Sequence, residues 1–351
     1  MPLFLPTTSS YPATGHEIAQ DIQDLLKVLI RTRFGECEKS GKDAVGPDKG
    51  THPVTVAFRI DPNAIAVAGS SAGGLCAYLA AMNCVSPKPK AVLSMYGMGG
   101  NFFTQHYLSP KTKPFLRGRE ILDPCKYADY LHTHHIPRLK SSTEPASTPG
   151  LSSLLPVSDS PLAYHDNTYH IPGFPANPRM LLSRLYLQLG VFLDYYIGAH
   201  ENGGLSVTLR EALGLDDRIE KAADSSFSVP SNSQEMLDRM RSLVSPQHHK
   251  LIPQFNVTEH WPPTMFVHGT DDTAVPIGES RDLGQMLKAC GVDVIMHEVE
   301  GKEHSFDYEP GAEEMFGEVF DAVGEFLAMH IGCSHETAGR LPHTVSLSNW
   351  L

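Results

Sequence analysis

The sequence predicts an α/β fold, a mostly parallel sheet flanked by helices and interrupted by a long helical insertion. Three observations carry this. A strand, a tight turn, a helix and a second strand follow one another between Ala64 and Tyr96, a βαβ unit. The strand segments are short apolar runs, as expected of parallel strands covered on both faces. The strand–helix rhythm stops near Gly97 and resumes near Trp261, leaving a middle segment with little strand signal.

The elements follow in order. Thr14 to Arg31 reads as an amphipathic helix, with Ile18, Ile22, Leu25, Leu26 and Leu29 at helical spacing. Thr14 and Glu17 form a capping-box pattern at its start. Gly35 to His52 reads as a loop. Ala64-Ile65-Ala66-Val67-Ala68 reads as a buried strand, Ala72 to Met82 as a helix and Ala91 to Tyr96 as the next strand. In the middle segment, Lys140 to Ser160 is a Ser/Thr/Pro-rich loop, Asn177 to Gly198 a long apolar helix and Ser233 to Leu243 another helix. The aromatic run Phe192, Tyr195, Tyr196 belongs to helix core, or lines an acyl pocket. Thr264–His268 and Val292–Val299 are strands, with a helix from Gly278 to Cys290 between them and a last helix from Glu313 to His330. The chain divides into a first core segment (residues 1–97), a helical cap (98–261), a second core segment (262–332) and a loose tail (333–351).

Composition narrows the function classes. Of 351 residues, 41% are hydrophobic and 19% charged, which is ordinary for a water-soluble domain with a sizeable core. The net charge of -12 and the lack of a basic stretch argue against nucleic-acid binding, which needs clustered Lys and Arg. No apolar run is long enough to span a membrane, and the start has no basic, signal-like region, so the expected compartment is the cytoplasm. The six cysteines show no C-x-x-C pairing and read as reduced structural thiols. The histidine clusters His132, His134, His135 and His248, His249 lack supporting ligand spacing and read as solvated loops, so no metal and no cofactor is expected. Glu36 and Glu38 read as a solvated face.

The chemistry concentrates in three short segments. Gly69-Ser70-Ser71-Ala72-Gly73 is a G-x-S-x-G element set between a strand and a helix, the context in which such a turn presents a serine nucleophile. Small flanking residues let strand and helix approach, and the amide after the serine, that of Ala72, points at a developing oxyanion. A serine hydroxyl needs a base and an orienting acid. Asp272, in a loop after the Thr264–His268 strand, supplies the acid, with Asp271 as the alternative. His304, in a loop after the Val292–Val299 strand, supplies the base. The order Ser71, Asp272, His304 is that of one serine-hydrolase arrangement.

These segments carry a resemblance. Gly69-Ser70-Ser71-Ala72-Gly73-Gly74 resembles the elbow of the hormone-sensitive-lipase-like esterases, with Ser70 where their Asp usually stands. His268-Gly269-Thr270-x-Asp272-x-x-Val275-Pro276 resembles the acid loop of dienelactone hydrolases, carboxylesterases and prolyl-oligopeptidase-like enzymes, and His304-x-Phe306 their histidine loop. The resemblance covers about residues 12–96 and 262–330 and implies the α/β-hydrolase fold with a cap. It implies a serine carboxylesterase with Ser71 as nucleophile, His304 as base, Asp272 as acid, Ala72 as oxyanion donor and no cofactor. The substrate implied is a small-molecule ester or lactone. The texture is similar to fungal hydrolases, some of which serve secondary metabolism.

The chain departs from this pattern in two ways. It has no H-G-G-G-type loop upstream of the elbow, and Gly97-Met98-Gly99-Gly100 comes after it. Only about 70 residues precede Ser71, so the first strands of the fold are expected to be missing, through a shortened chain or a truncated gene model. An uncovered sheet edge would invite pairing with a second copy, a homo-oligomer. Two further readings therefore stand beside the esterase: a catalytically weak binding protein, from the incomplete oxyanion hole, and a peptidase, from the acid loop.

Overall fold

The computed structural model describes residues 14–38, 55–132, 181–198, 204–215 and 234–332. Helix α1 (Gly15–Arg31) starts where predicted, with the Thr14 hydroxyl accepting from the His16 amide and the Glu17 carboxylate accepting from the Thr14 amide. Strands β1 (Phe34–Glu38) and β2 (Thr55–Phe58) then pair antiparallel, Phe34 opposite Phe58 and Glu38 opposite Thr55. This corrects the expected loop from Gly35: its first four residues are strand, and residues 39–54 lie outside the described residues. The partner strand starts at Thr55, seventeen residues after the end of β1, so no tight-turn pattern marks the pairing.

Strand β3 (Ala66–Ser70), helix α2 (Ala72–Asn83) and strand β4 (Ala91–Met95) form the βαβ unit. The segment between β4 and Trp261 carries helices α3 (Gln105–Leu108), α4 (Leu182–Leu189), α5 (Phe192–Ile197), α6 (Leu205–Ala212) and α7 (Gln234–Leu243), with short 3-10 turns at Pro124–Tyr130, Pro246–Leu251 and Pro253–Phe255. Strand β5 (Thr264–Gly269), helix α8 (Gly278–Ala289), strand β6 (Val294–Val299), helix α9 (Ala312–Met315) and helix α10 (Gly317–Ile331) complete the described chain.

The main sheet has the order β3-β4-β5-β6, every pair parallel. Side-chain alternation along the strands separates two cores. On one face Val92 and Phe266 pack with Ala77 and Tyr78 of α2 and Leu283 and Leu287 of α8. On the other, Leu93, Met265 and Val267 pack with Phe316 and Phe326 at the C-terminal helices. A third cluster joins α1 and α2 to the middle helices through Ala19, Leu75, Leu79, Leu185, Leu193 and Tyr196. The mostly parallel, helix-flanked sheet expected from the sequence is the one observed.

Three further expectations need correction. Strand β3 is not buried on both faces: it lies at the sheet edge among the described residues and Ala68 is exposed. The single helix expected over Asn177–Gly198 is two, because Gly190 takes a left-handed φ of +67 and a Cβ there would stand 2.7 Å from the Leu108 carbonyl oxygen; residues 177–180 lie outside the described residues. The last helix is likewise broken, at Phe316, whose ring turns inward and packs edge-on against Phe306 at 4.9 Å. The predicted loop Lys140–Ser160, His134, His135 and the tail 333–351 lie outside the described residues.

Candidate active site

The elbow is built by sterics. Ser71 has φ 53 and ψ -123, a conformation L-residues avoid, and it is held there from both sides. Its amide donates to the Met95 carbonyl, and its own carbonyl accepts from the amides of Gly74 and Met98, at 3.0 Å each. A Cβ at Gly69 would lie 2.0 Å from the Gly73 carbonyl oxygen, and one at Gly74 would lie 2.4 Å from the Gly97 Cα. Glycine at those positions is therefore a condition of the turn. Gly73 has open space around it.

The three predicted side chains meet across the carboxyl ends of β3, β5 and β6. His304 Nε2 stands 2.9 Å from Ser71 Oγ, and His304 Nδ1 stands 2.7 Å from Asp272 Oδ2. A carboxylate can only accept, so Nδ1 carries the hydrogen and the bare Nε2 accepts from the Ser71 hydroxyl. The His304 ring rests edge-on against Tyr96 at 4.7 Å, and its amide donates to the Glu303 carboxylate. The Tyr96 hydroxyl in turn donates to Asp307.

Asp272 is fully satisfied. Its Oδ1 accepts from the amides of Ala274 and Val275, both at 2.8 Å, while Oδ2 faces His304 and, at 3.2 Å, His268 Nε2. Burial raises its carboxyl, but the hydrogen bonds from His268 and His304, the His304 charge and the Val275 amide outweigh that and hold it well below the usual carboxylate range. Asp271, the alternative acid, is exposed and accepts from the Thr270 hydroxyl instead. Ala72 is the first residue of α2, so its amide has no intrahelical acceptor and sits at the positive end of the helix.

Other sequence candidates fall elsewhere. The amides of Gly99 and Gly100 donate to the buried Glu279 carboxylate, which also accepts from the Tyr107 hydroxyl; burial lifts its carboxyl to about 8. Those amides anchor the loop after β4 to the first turn of α8. The pair His248, His249 is not a solvated loop: His248 is buried and bonded to His16 at 2.8 Å, and His249 Nε2 meets the Val244 carbonyl at 2.8 Å. Phe192, Tyr195 and Tyr196 are buried in the apolar cluster of the middle helices. Side chains of Glu36 and Glu38 lie outside the described residues. His268, at the end of β5, approaches Asp272 Oδ2 to 3.2 Å and is a contact of the acid that the sequence pattern does not assign. Its position four residues before Asp272, at a strand end, was the available signal.

Among the described residues no group of three His, Cys, Asp or Glu could hold a metal, and no helix is long and apolar enough to cross a membrane. Cys76, Cys84, Cys125 and Cys290 are free thiols.

A parallel sheet in which a strand, a strained turn and a helix present a serine, and loops after two later strands bring first an aspartate and then a histidine to it, has the α/β-hydrolase fold. No family model matches the chain. It is similar over 82 residues, 33% identical, to the non-reducing polyketide synthase ausA of Emericella nidulans; the match takes in 22% of this chain, which spans 3% of that protein's length. Among solved structures it is similar to Thermogutta terrifontis esterase 2 phosphonylated by sarin, at a TM-score of 0.33 and 13% identity over 77% of this chain and 58% of that one. It is similar also to an acetyl ester-xyloside bifunctional hydrolase from Caldicellulosiruptor lactoaceticus, at 0.37 and 14% over 90% of this chain and 68% of that one. A third likeness is to the acylaminoacyl peptidase of Pyrococcus horikoshii, at 0.36 and 12% over 78% of this chain and 24% of that one. At such scores the likenesses carry nothing about the site, and the fold stands on the sheet, the elbow and the crossovers.

Proposed function

We propose that the protein is a serine hydrolase of carboxylic esters or lactones, with Ser71 as nucleophile, His304 as general base and acid, Asp272 as the orienting acid and the Ala72 amide as an oxyanion donor. The observation that carries this reading is the unbroken chain from Ser71 Oγ through His304 to Asp272, at 2.9 and 2.7 Å. His304 Nε2 takes the Ser71 proton as Oγ attacks the carbonyl carbon, and the oxygen anion that forms is met by the Ala72 N–H. The proton passes from Nε2 to the departing alkoxide oxygen, leaving an acyl-serine. A water then attacks the acyl carbon, gives its proton to Nε2, and the acid leaves as the proton returns to Oγ. No cofactor enters these steps.

Residues 1–97 and 262–332 are read as the hydrolase core, 98–261 as its cap and 333–351 as a tail. The finer substrate reading is a small or medium-sized apolar acyl or polyketide-like ester, in cytoplasmic secondary metabolism of a fungal kind. The 82-residue likeness to a polyketide synthase and the apolar, aromatic middle helices support it. A second reading, a slow hydrolase that mainly binds its ligand, is favoured by one observation: the glycine amides after β4 are engaged by Glu279, so Ala72 is the one oxyanion donor that the sequence and the described residues assign. Absence of a second donor costs about 10²–10³ in turnover.

A fluorophosphonate probe tests the reading. Labelling of the folded wild type and none of Ser71→Ala, with turnover of p-nitrophenyl acetate, is the expected result. Labelling without measurable turnover favours the second reading. No labelling of folded protein overturns the assignment of Ser71.

A further inference from the structure

His268 takes no part in the steps above, yet it touches the orienting acid. It stands near the end of β5, and its side chain is fully buried, out of reach of any substrate. Its Nε2 faces two acceptors, the Val275 carbonyl at 2.9 Å and Asp272 Oδ2 at 3.2 Å, so this nitrogen carries the hydrogen. The neutral ring then has a bare Nδ1, and the buried hydroxyl of Ser280, 2.8 Å away in the first turn of α8, donates to it. Two elements therefore fix both the orientation and the tautomer of His268.

Resting on the reading of Ser71, His304 and Asp272 as a hydrolytic triad, we propose that His268 is a positioning residue of that triad: oriented by Ser280, it donates to Asp272 Oδ2 and divides the carboxylate's charge between two imidazoles. Four donors then surround Asp272: two amides on Oδ1 and, on Oδ2, the His304 N–H and the His268 N–H, the latter at 3.2 Å and shared with the Val275 carbonyl. The carboxylate cannot rotate without breaking one of them, and the second donor on Oδ2 lowers that oxygen's basicity and so disfavours transfer of the His304 proton to it. Its pull on a protonated His304 is weaker than that of an unshared carboxylate. The other ionisable groups that face this network are few. Glu303 accepts from the His304 amide, Asp307 lies beyond Tyr96, the half-buried His106 is within electrostatic reach of Asp272, and Glu298, paired with Arg281, is within reach of His268. None of them contacts Oδ2, so the charge on Oδ2 is set by the two histidines.

The test follows His304 in the full-length protein by NMR titration of labelled histidine, beside the pH profile of kcat/KM for p-nitrophenyl acetate. His268→Leu removes the donor; it is expected to raise the His304 titration midpoint, and with it the acid limb of kcat/KM, by about one pH unit, the effect of one charge-assisted hydrogen bond. His268→Gln, whose amide can donate from the same place, is expected to return the midpoint toward the wild-type value. A folded His268→Leu that loses activity with an unmoved His304 midpoint overturns the inference, since a packing role alone would do that. If His268→Leu does not fold, Ser280→Ala carries the test: it frees the tautomer, so the midpoint moves upward in the same direction if the inference holds, and an unmoved midpoint overturns it. The NMR titration reads His304 without turnover. Failure of the hydrolase reading, seen as no labelling of Ser71, is thus separate from failure of the role given to His268.

Discussion

Single atoms decide which glycines of the elbow are obligatory. Gly69 and Gly74 have backbone within 2.0 and 2.4 Å of where a Cβ would be, whereas Gly73 has nothing within 4 Å. Gly73→Ala is therefore expected to leave the protein soluble and Ser71 labelled by fluorophosphonate, and to add helix stability at the start of α2 of about 0.5–1 kcal/mol. Gly69→Ala is expected to abolish both soluble protein and labelling. Expression followed by probe labelling distinguishes them, and equal behaviour of the two variants would contradict the steric account. Asp272 gives a second outcome. In Asp272→Asn the remaining carbonyl oxygen stays on the Ala274 and Val275 amides, so the new NH₂ faces two imidazole N–H groups. His304 is then driven to the tautomer that cannot accept from Ser71, and kcat is expected to fall by about 10⁴ with the thermal midpoint little changed. Steady-state kinetics beside a melting curve checks this. The pattern of the sequence was enough to single out Ser71, Asp272 and His304, which the fold brings within hydrogen-bond reach of one another, because each belongs to a short segment whose chemistry depends on its neighbours in the chain. It was not enough to find a role for His268, because that role depends on Ser280, a residue of the next helix brought back against the strand.

Among the elements, the contact between the loop after β4 and helix α8 depends on a buried acid. Glu279 keeps its proton in the folded chain up to about 8, against an ordinary value of 4.5. The folded form thus holds a proton that the unfolded chain gives up. The sign follows: this contribution is whole below 4.5 and is lost as pH rises through 8. Glu279→Gln keeps the shape, lets an amide donate to Tyr107 and removes the titration. Its melting temperature relative to wild type is expected to increase steadily between pH 5 and pH 8, by roughly a few degrees in all. Differential scanning calorimetry across that range measures it, and a constant difference would show that Glu279 stays ionised. Helix and strand types were legible at this level wherever apolar spacing was regular, as in α1 and β5. Breaks were not. Gly190 ends α4 because the α3 carbonyl passes beside it, and Phe316 interrupts the last helix because its ring is drawn to Phe306. Both causes lie far away along the chain.

Over the whole molecule, the middle helices share one apolar cluster with α1 and α2. The Tyr196 hydroxyl donates to the Leu251 carbonyl at 2.9 Å, and the Tyr196 ring lies so close to Gly15 that a Cβ there would stand 2.6 Å from it. A shared core of this kind makes separate melting of the middle helices costly. Far-UV circular dichroism and tryptophan fluorescence, with Trp261 buried beside Tyr78, are expected to report one coincident thermal transition. An earlier loss of the helical signal would show that the middle helices unfold on their own. The sequence alone was sufficient for the βαβ unit, the mostly parallel sheet and the three segments that carry Ser71, Asp272 and His304, because apolar periodicity and turn chemistry act between residues close in the chain. Folding decided the rest: the edge position of β3 among the described residues, the pairing of β1 with β2, the use of the glycine amides by Glu279 and the second imidazole on Asp272. Each of these depends on atoms from distant segments meeting at hydrogen-bond or van der Waals distance, and no local pattern of residues specifies such a meeting.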